Sequence, residues 1–302
     1  MSRRIAVRTT ALFGAPLLGA ALLLAGIAPA RAAPAPDRCT AFAADFDRAT
    51  VAHAQAIGPD ACRFHDVAVR TDGPAHLHID TVTVQHIDFD RAARHALQPA
   101  LHVVLTGARF AGPASRPLTS YIMSVTARVF DAVLDYRYDP RAGTLVVSQL
   151  AISGPHLGGL TMSGAVDGVT PAAVERPGAA AASGIRLRRL SLRLANDGLV
   201  EAFVVPPLAG WLLAGAPDPA ARVAEMKPVA VLYLMATLGR MGVPNASIAA
   251  LVQFITDMPH PRPTLTVEGR FDPPLSVADM AAIAAGQPPA PVPGRQLTVS
   301  YP

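Results

Sequence analysis

The chain has 302 residues, 51% of them hydrophobic and only 16% charged, with 26 basic and 22 acidic side chains. A chain of this length can bury a sizeable core in one large domain or two small ones. With Arg3, Arg4, Arg8 and Arg31 set aside as part of an N-terminal leader, the remaining basic residues balance the acidic ones. That leaves no electrostatic case for a nucleic-acid partner, which needs clustered positive charge against phosphates.

Residues 1–32 combine an arginine-bearing start, the apolar run Ala11 to Ile27 and the small-x-small triplet Ala30-Arg31-Ala32. This pattern predicts a cleavable signal peptide and a periplasmic protein, the alternative being an uncleaved membrane anchor. Cys39 and Cys62 are the only cysteines. In an exported chain two cysteines most economically pair, against a metal pair or two free thiols, which the absence of a CxxC spacing disfavours. The enclosed loop of about 24 residues would constrain the unfolded chain by about 3.5 kcal/mol.

Residues 33–302 then read as one α+β domain. Phe42, Phe46, Val51 and Ile57 are spaced for a helix over Thr40 to Ile57, closed by Gly58-Pro59. Strands are expected at Phe64 to Arg70, Ala75 to Phe89 and Leu101 to Phe110, with a turn at Thr71-Asp72-Gly73-Pro74 and a helical turn within Arg91 to Gln98. On the second strand, alternation sets His76, His78 and Asp80 on one face, continued by His86, Asp88 and Asp90, with Leu77, Ile79, Ile87 and Phe89 on the other. His76 and His78 are the candidate metal ligands, since imidazoles two residues apart on a strand face one ion. A solvated sheet face explains the same pattern.

Pro113 to Val133 is read as a helix on the spacing of Tyr121, Val125, Val129 and Ala132. Leu134 to Val169 predicts a three-stranded meander with turns at Asp139–Gly143 and Gly154–Gly159. There Tyr136 and Tyr138 share one face, as do Leu145, Val147 and Gln149 on the returning strand. Pro171 to Gly184 is a small-residue connection, and Ile185 to Ala195 a strand with Leu190, Leu192 and Leu194 inward. Its Arg186, Arg188, Arg189 and Arg193 either bind an anion such as a phosphate headgroup or form a solvated face.

Leu199 to Met258 is an apolar helical insert in three runs, Leu199 to Ala214, Pro219 to Met241 and Asn245 to Asp257. Val229 to Leu238 is apolar nearly all round, which implies burial on most sides or contact with lipid. Three readings stand: a helical layer packed on the sheet, a helical lid over an apolar cavity lined by Leu212, Leu232, Met235 and Phe254, or direct contact with a membrane surface. A strand at Thr264 to Phe271, a helix from Ser276 to Ala285 with Ser276 as N-cap, and a last strand at Gln296 to Tyr301 complete the chain. Strands on both sides of the insert imply a single sheet. The expected architecture is a curved, mainly antiparallel sheet with a layer of apolar helices packed on one face.

No nucleophile elbow, phosphate-binding loop, dinucleotide fingerprint or His-Glu-x-x-His motif occurs. No catalytic residue and no cofactor is therefore expected, and enzyme activity stays open but disfavoured. The strand rhythm of LDYRYDPRAGTLVVSQLAISGPHLGGLTMSGAVDGV at Leu134 onward, followed by LRRLSLRLANDGLVEAF at Leu187 to Phe203, resembles uncharacterised exported bacterial proteins and more distantly the AsmA-like and YdgA-like envelope families. The resemblance implies lipid handling within the envelope. The functional expectation is a periplasmic, non-enzymatic protein that binds a lipid-like or other apolar ligand between sheet and helices. The alternative is a structural or protein-interaction module with a solid core and peripheral envelope contact. Oligomeric state and ligand identity are not encoded in any motif.

Overall fold

A computed structural model of the chain describes residues 38–302 apart from 45, 47, 72–75, 95, 112–127, 171–183, 206–218 and 288–294. The leader, Leu212, the Thr71–Pro74 turn beyond its first residue, most of the expected 113–133 helix and nearly all of the 171–184 connection lie outside the described residues.

Ten strands form one open antiparallel sheet in strict chain order: β1 (Ala49–Gly58), β2 (Ala61–Arg70), β3 (His76–Gln85), β4 (Ala100–Ala111), β5 (Phe130–Asp139), β6 (Thr144–Gly154), β7 (Gly158–Asp167), β8 (Arg186–Asn196), β9 (Leu265–Ser276) and β10 (Arg295–Ser300). Helix α1 (Arg38–Ala44) precedes the sheet and α2 (Phe89–Ala92) joins β3 to β4. Two long helices, α3 (Pro219–Arg240) and α4 (Asn245–Asp257), fall between β8 and β9, and α5 (Val277–Ala284) between β9 and β10. The sheet-dominated α+β class and the single sheet agree with the sequence reading.

Several elements differ from it. The helix expected over Thr40 to Ile57 ends at Ala44, and Ala49–Gly58 is instead edge strand β1, paired along β2. The half-buried positions Val51, Ala54 and Ile57 are three apart because the strand changes its inward parity midway. That irregularity imitates helical spacing. From Phe130 onward the expected 113–133 helix is strand β5, so Ala132 belongs to the sheet. Strand β3 stops at Gln85, and His86 turns the chain with φ 65°. Asp88 does not extend the histidine face; its carboxylate caps α2 by accepting the Arg91 N–H at 2.9 Å.

A line of parity changes also crosses β2, β3 and β4. Inward residues run Cys62, Phe64, then Val67 on β2; Leu77, Ile79, then Val82, Val84 on β3; and Val103, Leu105, then Ala108 on β4. Phe64 pairs with Val82 and Val67 with Ile79, leaving Asp66 (φ 51°) opposite Asp80 at the crossing. Gly107 occupies the same line on β4 with φ 69°, and a Cβ there would overlap the Asp80 carboxylate. The β4–β5 ladder shifts register here, between Leu105 and Ala108, whereas the β2–β3 and β3–β4 ladders keep one register on either side of the crossing; a bulge of that kind bends a strand and increases its twist. Asp131 accepts the Gly107 N–H at 2.9 Å, and Arg109 donates to Asp80 at 2.7 Å.

The meander β5–β6–β7 stands where the sequence placed it. Asp139 Oδ1 accepts the N–H groups of Arg141 and Ala142, and Gly143 takes φ 61° to finish the turn. Tyr136 and Tyr138 are buried with Leu97 and Val169, and Leu145 and Val147 pack beside them. Gln149 departs from that face. The register shifts between Val147 and Leu150 against β7, so Leu150 and Ile152 turn inward and Gln149 is exposed.

Three plugs fill the inner face of the sheet. Disulfide Cys39–Cys62 ties α1 to the start of β2 and sets Phe42 and Phe46 against Phe64, with ring centroids 6.2 and 5.9 Å apart. The π-helical turn Val200–Val204 after β8 buries Val200 and Ala202 and lays Phe203 against Phe110 and Phe130. Ala250, Leu251 and Phe254 of α4 close the far end over Leu265, Val299 and Tyr301.

Candidate functional site

Helix α3 presents two unlike faces. Leu234, Leu238 and Met241 pack on Val243, Ile248, Leu251 and Val252, so α3 and α4 form a hairpin around a small core of their own. This is the i, i+4, i+7 stripe expected of a helix packed on one side. The opposite side carries Val229, Leu232, Tyr233 and Met235, which are 65, 67, 46 and 49% exposed. Together they present on the order of 400 Å² of apolar surface, a patch size that on monomeric proteins is often functional.

Polar tips tether the helix in this orientation at both ends. Lys227 Nζ donates to the carbonyls of Thr256 and Met258 at the end of α4, at 3.0 and 2.6 Å. Arg240 Nη2 donates to the Gly286 carbonyl at 2.8 Å, and the Tyr233 hydroxyl to the Ile283 carbonyl at 3.2 Å. Gly286 is required beneath the Tyr233 ring, since a Cβ there would lie 2.7 Å from it. On the sheet side, Ser247 of α4 accepts the Val299 N–H at 3.0 Å, and the Tyr301 hydroxyl donates to Asp257 at 2.8 Å. Burial and the Asp257 carboxylate push the Tyr301 phenol up to about 12.

Of the four residues named as lining a space between sheet and helices, Leu232 and Met235 face outward on α3. Phe254 lies on α4 with its ring edge-on to Tyr301, 5.5 Å away, at the margin of the main core. The three described residues thus sit on different faces of the hairpin. The all-round apolar character of Val229 to Leu238 reflects one packed side and one uncovered side, not burial on most sides. Among the described residues no helix is long and apolar enough to cross a membrane.

His76 and His78 do share a face of β3, as alternation required. His78 Nδ1 lies 3.5 Å from Asp80 Oδ1, outside good hydrogen-bond geometry and otherwise unpartnered. The Asp80 carboxylate that would serve as third ligand is already taken by Arg109. Among the described residues no group of three or more His, Cys, Asp or Glu could hold a metal ion.

A polar constellation that sequence reading missed sits where β8 ends. Asn196, only 6% exposed, donates to Glu201 Oε2 and to the Pro261 carbonyl at 2.9 and 2.8 Å, and accepts the N–H groups of Gly198 and Val200. Glu201 also accepts from His260 Nδ1 at 2.9 Å and lies 3.6 Å from Arg262. Burial pushes the Glu201 carboxyl up, but the hydrogen bonds from His260, Asn196 and its own backbone, with the Arg262 charge, outweigh it and hold the group below its usual range. The Asn196-Asp197-Gly198 run signalled only a strand end. Its role as a junction depends on partners about sixty residues later, which no local pattern announces. With every Asn196 bond directed at its own chain, the constellation braces the π-helical turn.

A family model described as an uncharacterised protein matches residues 151–300, from within β6 to the last residue of β10. No curated protein matches the chain.

Proposed function

We propose that this is an exported, non-enzymatic binding protein for an apolar, lipid-like ligand, which it engages through the outward face of α3. The carrying observation is the tethered helix with Val229, Leu232 and Met235 exposed beside a half-exposed Tyr233. Leaving that much apolar surface in water is unfavourable by roughly 10 kcal/mol at about 25 cal/mol per Å², so an occupant that covers it gains a comparable gross term. Its area, on the order of 400 Å², is about half of what one partner contributes to a standard protein interface. An acyl chain or similar small amphiphile matches that size better than a stable protein partner does. The disulfide fits an oxidising compartment such as the periplasm.

The test is lipid extraction and mass spectrometry of protein recovered from its native envelope fraction, followed by titration of the delipidated protein with a fluorescent fatty acid. Stoichiometric lipid and saturable binding support the reading; neither lipid nor binding refutes it. A second reading, an interaction module with a solid core, is favoured by the close filling of the inner face by α1, the π-helical turn and α4. It predicts a stable envelope protein complex by crosslinking and no bound lipid.

A further inference from the structure

The outer face of the sheet carries an arrangement that costs stability and that nothing among the described residues offsets. Arg189 of β8 stands directly opposite Arg270 of β9 in the antiparallel ladder, and both are exposed. Side chains directly opposite have Cβ atoms about 5 Å apart, and like charges there repel. Among the described residues neither guanidinium forms an ion pair. The neighbouring acids are committed or turned away: Asp167 is held by Arg188 at 2.6 and 2.9 Å, and Glu268 accepts from Ser191 at 2.7 Å. Asp272 lies past the register break that separates Arg189–Arg270 from Leu187–Leu275.

That break and the one beside it build the cluster. Between β7 and β8 the pairing shifts from Ala165–Arg189 to Val166–Leu187, so Arg188 is the extra residue and both it and Arg189 are exposed. Arg188 swings to Asp167 and leaves Arg189 facing Arg270. The surroundings on the ladder are small and hydrogen-bonding: Ala165 beside Arg189, Gln296 beside Arg270, and the Ser163–Ser191 pair one step along the same face. Arg193, exposed and opposite Thr266 and Thr161, continues the basic face.

We propose that the Arg189–Arg270 pair is a binding site for a phosphate-type oxyanion. Two guanidinium forks carried by residues directly opposite on the ladder can supply N–H donors to the oxygens of a single tetrahedral anion. A bound dianion converts the mutual repulsion into two attractions. Because an exposed site competes with water and salt, it needs both arginines.

The test uses the full mature chain as wild type, as R189Q/R270Q, and as R141Q, an exposed arginine in the β5–β6 turn, as control. Each is titrated with inorganic phosphate at constant ionic strength, followed by unfolding temperature and amide shifts, and mixed with phosphatidylcholine vesicles with and without phosphatidylglycerol. The site predicts binding in at least one arm, weakened at least tenfold in R189Q/R270Q and unchanged in R141Q. Response to phosphate assigns a soluble phosphorylated ligand, and response to phosphatidylglycerol vesicles alone assigns a lipid headgroup. No response in either arm, or equal binding by R189Q/R270Q, overturns the proposal. Without anion, R189Q/R270Q should unfold at or above the wild-type temperature; a clear fall would show that the pair is already satisfied and equally overturn it. Absence of co-purifying lipid leaves the site untouched, since the arginines lie on the sheet and not on α3.

Discussion

Replacing Leu232 and Met235 together by glutamine tests the outward face of α3 most directly. These side chains are 67 and 49% exposed and account for about half of the patch. Covering their roughly 200 Å² is worth at most about 5 kcal/mol. A flexible ligand touches one side of each residue and loses freedom on binding, so about 2 to 3 kcal/mol should reach the affinity. The double variant should therefore bind a fluorescent fatty acid about thirty- to hundredfold more weakly in a displacement titration. Its unfolding free energy in urea should stay within about 0.5 kcal/mol of wild type, because exposed positions away from caps and ion pairs contribute little to folding. Affinity within about twofold of wild type would falsify the role of this face. A loss of more than about 1 kcal/mol of stability would show that the face is packed within the protein, not offered to a ligand.

The remaining expectations concern the scaffold. Reducing Cys39–Cys62, or replacing both residues by serine, should cost about 3.5 kcal/mol on the chain-entropy model, read as a lowered urea midpoint with and without reductant; an unchanged midpoint would mean α1 docks through its phenylalanines alone. Asn196→Ala should cost about 2 to 4 kcal/mol, since it strands the buried Pro261 carbonyl and the N–H groups of Gly198 and Val200. Because the Glu201 carboxyl is held below its usual range, its contribution is present at neutral pH and is lost as pH falls below the ordinary glutamate value and through the depressed one. Glu201→Gln should therefore flatten the acid limb of a stability–pH curve, and an identical limb would exclude Glu201 as a contributor. Gly107→Ala should cost about 2 kcal/mol or more through its φ of 69° and its overlap with Asp80, and a calorimetric difference near zero would mean the bend is not locked there.

Much of the sheet was legible because turn chemistry and alternation are local. The Asp139–Gly143 turn, β5 to β7, the Ser276 capping box with Asp279, and α4 over Asn245–Asp257 all rest on signals within a few residues. Two of the misread positions share one physical origin. Inward parity changes midway along β1 and again at Gln149, so Val51 and Ile57 fell at positions that continued the spacing of Phe42 and Phe46, and Gln149 took the face that belongs to Leu150 and Ile152. A bulge is fixed by its partner strand, as the shift between Leu105 and Ala108 against β5 shows, and the partner is not visible in a local window.

The helical insert was left open for a different reason. Periodicity separates polar from apolar faces, but Val229 to Leu238 has too little polarity for either side to be marked, so burial on most sides and contact with lipid both stood open. The outward side is set by anchoring and packing together. Lys227, Tyr233 and Arg240 each reach a backbone carbonyl on α4 or at the end of α5, and those contacts act with the packing of Leu234, Leu238 and Met241 in setting the rotation of α3. The same logic explains why the arginines of β8 could be read in sequence either as an anion site or as a solvated row. Only the ladder, through the register break at Arg188, sets Arg189 against Arg270, which lies eighty-one positions later in the chain. Both candidate binding features are thus surfaces that the fold holds in an unfavourable state, one apolar in water and one doubly charged, and in each case an occupant of matching chemistry removes the cost.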